Sequence, residues 1–364
     1  MDARHRIRLL SLVILALFAG GLYLYHYVPD DTFITLRYAR NLARGDGLVF
    51  NEGVRLEGYT NFLWLIMLAA GAKIGLPLLG TARALSGLFS LAVLWLTYSL
   101  ARDTARRANL AGWDEALAAA LPPMLLAASA PFPVWSLSGT EIPLYTALLL
   151  FGFKLVRDRG PALSVFAVFA LLGLVRPDGL LFYLLAWFLL LRRGAEPDGD
   201  ARTGGRGEEE RDGDGRRHDN RPEQMPHGGG RGTGGRRGIL LRGAFVLLIL
   251  YGPYLIWKQL YFGSLVPNTF YAKTAPPGLM LSNGAAYLGA FVASYGYLAA
   301  LGMLLMKRLF PRGGTAGTAL PFVLAHWAAM LILGGDWMPQ FRLLLPTLPL
   351  VLLFANEGLV AAVS

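Results

Sequence analysis

The feature that most constrains this chain is a succession of long apolar runs, because a run that is apolar on every side has no stable place on a water-facing surface. Leu9 to Tyr27 and Ala84 to Leu100 carry no polar face at helical spacing. Such runs match a hydrocarbon core about 30 Å thick. With 54% hydrophobic residues and a mean hydropathy of +0.45, the pattern extends over most of the 364 residues. The expected fold class is an all-α polytopic membrane protein.

Apolar segments recur at 9–28, 61–80, 84–101, 116–134, 142–156, 161–175, 180–191, 239–260, 286–306, 318–334 and 343–360. The first follows MDARHRIR and runs to Tyr27 without a small-residue cleavage site, so it reads as an uncleaved signal anchor. Arg4, Arg6 and Arg8 put the N-terminus in the cytoplasm and the chain after Val28 outside. If all eleven segments crossed, the basic connections at 102–109, 157–160 and 307–312 would lie outside, against the positive-inside rule. Parity is restored if 61–80, interrupted by Gly71, Lys73, Gly75 and Pro77, lies along the outer interface. About ten transmembrane helices then remain.

This topology divides the chain into a transmembrane part at 1–191, with an external loop at 29–60, and a second transmembrane part at 238–364. Between them, 192–237 holds 11 arginines against 10 acids and almost no apolar residues, which predicts a disordered cytoplasmic loop. The net charge of +10 fits basic cytoplasmic connections rather than nucleic-acid binding, since no binding motif accompanies it. The absence of cysteine excludes disulfides, thiolate metal sites and a cysteine nucleophile.

The external face gathers the chemistry. Asp30 and Asp31 follow the first run directly. Adjacent carboxylates at a water–lipid boundary suit a general base or a divalent-cation site, and equally a solvated helix cap. Four more external strings converge there: SGTE (138–141), RPDG (176–179), LVPNTFYAKT (265–274) and GGDWMPQFR (334–342). Arg176, Lys273 and Arg342 offer positive charge to a phosphate leaving group, and Glu57, Glu141, Asp178 and Asp336 offer carboxylates to hydroxyls or a metal. Trp64 and Trp337 read as interfacial anchors, with sugar stacking the alternative for both, and His26 reads as a packed, aromatic-like residue. The acidic cluster can hold a divalent cation, although nothing in its spacing demands one.

The strings DDTFITLRYARNLARGDGLVFNEGVRLEGYTNFLW, LVPNTFYAKT and GGDWMPQFRLLLP together resemble a bacterial family of GT-C membrane glycosyltransferases related to the mycobacterial terminal arabinofuranosyltransferases. The resemblance implies a GT-C-like fold with interfacial helices in the first external loop. It further implies a polyprenyl-phosphate sugar donor, a glycan or lipid acceptor, and Asp30 or Asp31 as base. By position it assigns Glu57, Tyr59 and Asn61 to the EGYTN string, Asn268, Tyr271 and Lys273 to NTFYAK, and Asp336, Trp337 and Arg342 to GDWM and the residues after it. Phe62 stands where the family has proline, and the end at Ser364 predicts no soluble C-terminal domain. The rival from another class is a flippase of lipid-linked sugars. That activity calls for charges or broken helices near the bilayer midplane, whereas these charges sit at span ends.

Overall fold

A computed structural model describes residues 2–158, 160–193, 235–273, 275–298, 300 and 315–364, and among them every regular element is helical. Most of the 192–237 stretch, the expected disordered loop, lies outside the described residues. Helix α1 (Ala3–Leu24) starts at Asp2, whose carboxylate accepts the His5 N–H at 2.8 Å. Its 22 residues reach about 33 Å at 1.5 Å per residue, enough to cross a bilayer. His26 lies exposed beyond its end and is not packed as the sequence suggested, because the helix stops at Leu24.

Helix α2 (Asp30–Arg44) is of another kind. It buries Thr32, Thr35, Leu36, Tyr38 and Ala39 and turns Phe33, Arg37, Arg40 and Arg44 outward. Gly45 ends it at φ +95°, a conformation open to glycine at little cost. Helix α3 (Phe62–Lys73) has 12 residues and so spans only about 18 Å, less than a hydrocarbon core. The stretch expected to lie along the interface, 61–80, therefore divides: α3 stops before Gly75 (φ +88°), and α4 (Leu78–Arg107) begins directly after Pro77. Trp64 is not an interfacial anchor, for it is fully buried and donates its indole N–H to the Gly139 carbonyl at 3.2 Å.

The 30-residue α4 buries Ser90, Thr97 and Thr104, whose hydroxyls return to carbonyls one turn back at 2.9, 2.8 and 3.2 Å. Their polar atoms are thus satisfied inside an apolar bundle. The run 116–134 is not one helix. It splits into α5 (Gly112–Ala128) and α6 (Pro131–Ser136) at Ser129 and Ala130, because Pro131 and Pro133 cannot extend the preceding hydrogen-bond ladder. Helices α7 (Ile142–Asp158), α8 (Leu163–Val175) and α9 (Gly179–Arg193) follow with short connections.

Helices α10 (Arg236–Val246) and α11 (Gly252–Phe262) form one 27-residue rod through a π turn at Leu247–Tyr251. Pro253 has no N–H to return to Ile249, and the turn before it widens. Then come α12 (Asn268–Lys273), α13 (Pro277–Phe291), α14 (Thr315–Ile332) and α15 (Leu348–Val363). Four described helical stretches are long and apolar enough to cross a membrane: Ala3–Leu24, Leu78–Arg107, Arg236–Phe262 and Leu345–Val363. Phe153, Phe169, Phe182 and Phe322 pack a buried aromatic centre among α7, α8, α9 and α14, with Phe182 and Phe322 stacked at 5.8 Å.

The two ends of the bundle differ in charge chemistry. At one end the α4 and α7 C-termini and the α5 N-terminus exchange ion pairs, including Lys154–Asp103 at 2.6 Å and Arg106–Glu115 at 2.8 Å. Arg193, closing α9, donates to the Val156 carbonyl at 2.8 Å and the Thr318 hydroxyl at 2.9 Å. The α2 N-terminus and the loops holding Glu141, Arg176 and Arg342 meet at the other end, where α4 and α7 begin.

Candidate active site

The site is assembled on the first turn of α2. Pro29 precedes the helix, and Asp30 and Asp31 sit where the positive end of the helix dipole favours carboxylates. Their surroundings differ. Asp30 is exposed and, among the described residues, accepts only the neighbouring Asp31 N–H, at 3.0 Å, whereas Asp31 is bonded through Oδ2 to Arg342 Nη1 at 2.7 Å. The Asp31 side chain is 41% exposed, and its second oxygen has no protein hydrogen-bond partner among the described residues.

Arg342 is delivered by a loop of unusual backbone. Gly334 and Gly335 have φ of +86° and +72°, and Gln340 and Phe341 also take left-handed conformations, at +58° and +50°. Such strain persists only where surrounding contacts fix it. Here Trp135 donates to the Gln340 carbonyl at 3.2 Å, and Phe341 packs on Tyr287 and Phe291. Asp336 grips the buried Arg342 guanidinium with two bonds, 2.8 and 3.1 Å, so Arg342 is shared between Asp336 and Asp31. Burial alone would lower the Arg342 pKa; the Asp336 and Asp31 carboxylates reverse this and raise it.

A second ionic chain lies beside the first. The SGTE string forms a tight turn at Gly139 (φ +78°), tied by Thr32 Oγ1 donating to the Ser138 carbonyl at 3.0 Å and by Ser86 Oγ donating to that of Thr140 at 2.9 Å. Glu141 leaves this turn and accepts from Asn61 at 3.0 Å and from Arg176 at 3.1 Å. Arg176 also donates to Asp178 at 3.0 Å, and the buried His326 ring nitrogen lies 3.9 Å from the same carboxylate. Desolvation would push Asp178 up, but the adjacent Arg176 and His326 hold it well below the usual carboxylate range. The two chains join at Thr35, whose hydroxyl donates to the Asp31 carbonyl at 3.3 Å and accepts from the Asn61 amide at 3.1 Å.

Eight of the residues singled out in the sequence thus share one network: Asp30, Asp31, Asn61, Glu141, Arg176, Asp178, Asp336 and Arg342. The others fall elsewhere. Glu57 is buried and paired with Lys258 of α11 at 2.9 Å; burial raises its pKa, and the lysine only partly offsets that. Its carbonyl accepts the Asn268 N–H at 3.2 Å, so the EGYTN and NTFYAK strings meet through backbone. Tyr59 is buried edge-on to Tyr38 at 5.0 Å. Tyr271 and Trp337 are exposed, and the side chain of Lys273 lies outside the described residues.

Two buried participants were missed in the sequence, Lys258 and His326. Each is an ionisable residue inside an otherwise apolar run, and such placement is itself a signal of function. Among the described residues no three His, Asp or Glu side chains converge as a metal-binding group.

No family model matches the chain. Over 62 residues it is 40% identical to the terminal β-(1→2)-arabinofuranosyltransferase of Mycobacterium tuberculosis, which covers 17% of this chain and 10% of that enzyme. Among solved structures it superposes on ArnT from Cupriavidus metallidurans bound to undecaprenyl phosphate, with a TM-score of 0.57 at 16% identity over 98% of this chain. The apo form of the same protein gives 0.59 at 17% identity over 99% of this chain. In both cases the chain spans 60% of the ArnT length. The chain therefore has the ArnT fold, and in that fold and one shared stretch of sequence it resembles the GT-C membrane glycosyltransferases.

Proposed function

We propose that this chain is a membrane glycosyltransferase that moves a sugar, such as arabinofuranose, from a polyprenyl-phosphate donor to a cell-envelope glycan or lipid acceptor. The observation that carries this reading is the paired network Asp336–Arg342–Asp31 and Asp178–Arg176–Glu141 at one end of an ArnT-like bundle. The match to an arabinofuranosyltransferase and the undecaprenyl phosphate of the ArnT structure support the choice of chemistry.

In this reading about ten helices cross the bacterial inner membrane, α2 and α3 lie at its outer interface, and the network faces the periplasm. The Arg193 and Arg106 end is cytoplasmic, in line with positive-inside bias. Asp31 is the base. Arg342 holds its Oδ2 in one orientation, and Oδ1 takes the proton of the acceptor hydroxyl as that oxygen attacks the anomeric carbon. The anomeric C–O bond to phosphate breaks in the same displacement, so the configuration inverts. Arg342 holds Asp31 and Arg176 holds Glu141, and the arginine charges, with that of Lys273, offset the charge gathering on the leaving phosphate.

The test is transfer of radiolabelled sugar from a polyprenyl-phosphate donor to lipid or glycan acceptors in proteoliposomes. The reading predicts labelled acceptor in proportion to enzyme. Donor that changes leaflet with no labelled product would replace it with the flippase.

A further inference from the structure

The two arginines that line the site are both committed. Arg342 is divided between Asp31 and Asp336, Arg176 between Glu141 and Asp178, and the buried Lys258 faces Glu57. With Asp30 exposed beside them, the phosphodiester of a polyprenyl-phosphate sugar entering here, and the monoester that leaves, meet more carboxylate than free cation. Holding it requires a cation with unused donors.

Arg83 has them. It lies near the start of α4, one turn before Ser86, whose hydroxyl bonds the Thr140 carbonyl at 2.9 Å. A Cβ built on Gly139 would stand 3.9 Å from Arg83 Cγ, 3.0 Å from the Thr32 methyl and 3.4 Å from Ala82. The arginine stem therefore lies beside the turn that leads to Glu141, and Thr32 of the first turn of α2 lies against the same turn. Its side chain is half-buried, yet the guanidinium has no hydrogen-bond or carboxylate partner among the described residues. Other cations of the α2–α4 region differ: Arg37 bonds the Phe50 carbonyl and Asn51, Arg55 lies over Tyr261, and Arg40, Arg44 and Lys73 are exposed. A guanidinium with five free donors on a stem beside the Gly139 turn suits a planar, two-point grip on phosphate.

We propose that Arg83 is the residue that positions the donor phosphate, a role that rests on the lipid-phosphate reading above. Its stem is anchored by the Gly139 turn, and its head supplies a direct grip on phosphate, whereas Arg176 and Arg342, engaged with their carboxylates, contribute their charge alone.

The experiment measures binding of undecaprenyl phosphate to the wild type, Arg83→Gln and Arg83→Lys in nanodiscs of zwitterionic lipid, with phosphatidylglycerol and inorganic phosphate as competitors. It is paired with donor and acceptor KM values from the transfer assay. Loss of one charge-assisted grip predicts roughly tenfold or greater weakening in Arg83→Gln and partial recovery in Arg83→Lys. A flatter salt dependence is expected in Arg83→Gln, with the change falling on the donor KM and not the acceptor KM. Inorganic phosphate and phosphatidylglycerol, neither of which carries a polyprenyl chain, are expected to compete weakly. Equal binding by wild type and Arg83→Gln overturns the role of Arg83 and leaves the donor reading standing. A wild type that binds no undecaprenyl phosphate overturns both. If Arg83→Gln raises donor and acceptor KM alike and lowers the unfolding temperature, Arg83 is structural; competition by phosphatidylglycerol at equal strength makes the site a general lipid-headgroup contact.

Discussion

Replacing Arg176 by methionine removes the partner of two carboxylates that are 9% and 14% exposed, Glu141 and Asp178, while keeping a similar apolar stem. Breaking a buried ion pair from one side costs on the order of 3–5 kcal/mol, because a charge is left without compensation. The pH dependence gives the sign. In the wild type Asp178 is pulled below its ordinary range, burial notwithstanding, by Arg176 and His326. It therefore contributes stability above the unfolded carboxylate pKa, near 4, and that contribution is lost as pH falls through the lower folded value. In Arg176→Met burial is less opposed, so Asp178 shifts upward and the variant regains stability as it takes a proton. The gap between the two proteins is accordingly widest near pH 7–8 and narrows toward about pH 5. Thermal unfolding followed by intrinsic fluorescence in detergent, across that range, measures it. A gap that stays constant with pH, or is under about 1 kcal/mol at neutral pH, would refute the account of this network.

Further outcomes follow from neighbouring contacts. Lys258→Met strands the buried Glu57 and is expected to destabilise by roughly 3–5 kcal/mol, with most of the loss recovered in the Lys258→Met, Glu57→Gln double variant; chemical denaturation of all three variants checks this. Gly139→Ala forces a side chain into φ +78° with Thr32 only 3.0 Å away. The expected cost is about 1–2 kcal/mol, seen as a lower unfolding temperature together with slower transfer, since the turn aims Glu141. Arg342→Lys keeps the charge but cannot reproduce the two-point bond to Asp336 and the bond to Asp31 together, so transfer should fall about tenfold or more in a steady-state assay.

What the chain shows by pattern alone is the part governed by local chemistry. The apolar runs at α1 and α4 are legible because lipid permits no polar face, although α4 extends past the expected 84–101 at both ends. The break between α5 and α6 was also written in Pro131 and Pro133, but it was overridden by the apolar character of the run. The site strings were legible because short polar segments bounded by glycine and proline stand out between apolar helices. Pairing was not legible. Arg342 meets Asp31 across 311 residues, and Arg176 meets Glu141 across 35, so two cations expected to face a phosphate are also structural partners of carboxylates. Lys258 and His326 were hidden for the opposite reason, as single ionisable residues within runs whose average hydropathy conceals them. Arg83 stayed unremarked because its significance depends on which other arginines are already bound.

The central claim is that the carboxylate on the first turn of α2 held by Arg342 performs the proton transfer. The most direct measurement is the single-turnover rate of sugar transfer from a polyprenyl-phosphate donor by wild type, Asp31→Asn and Asp30→Asn, each shown to be inserted and folded. The account predicts that Asp31→Asn reduces the rate by a factor of about 10² or more and that Asp30→Asn reduces it far less. Wild-type rates in Asp31→Asn, or a larger loss in Asp30→Asn, would contradict it.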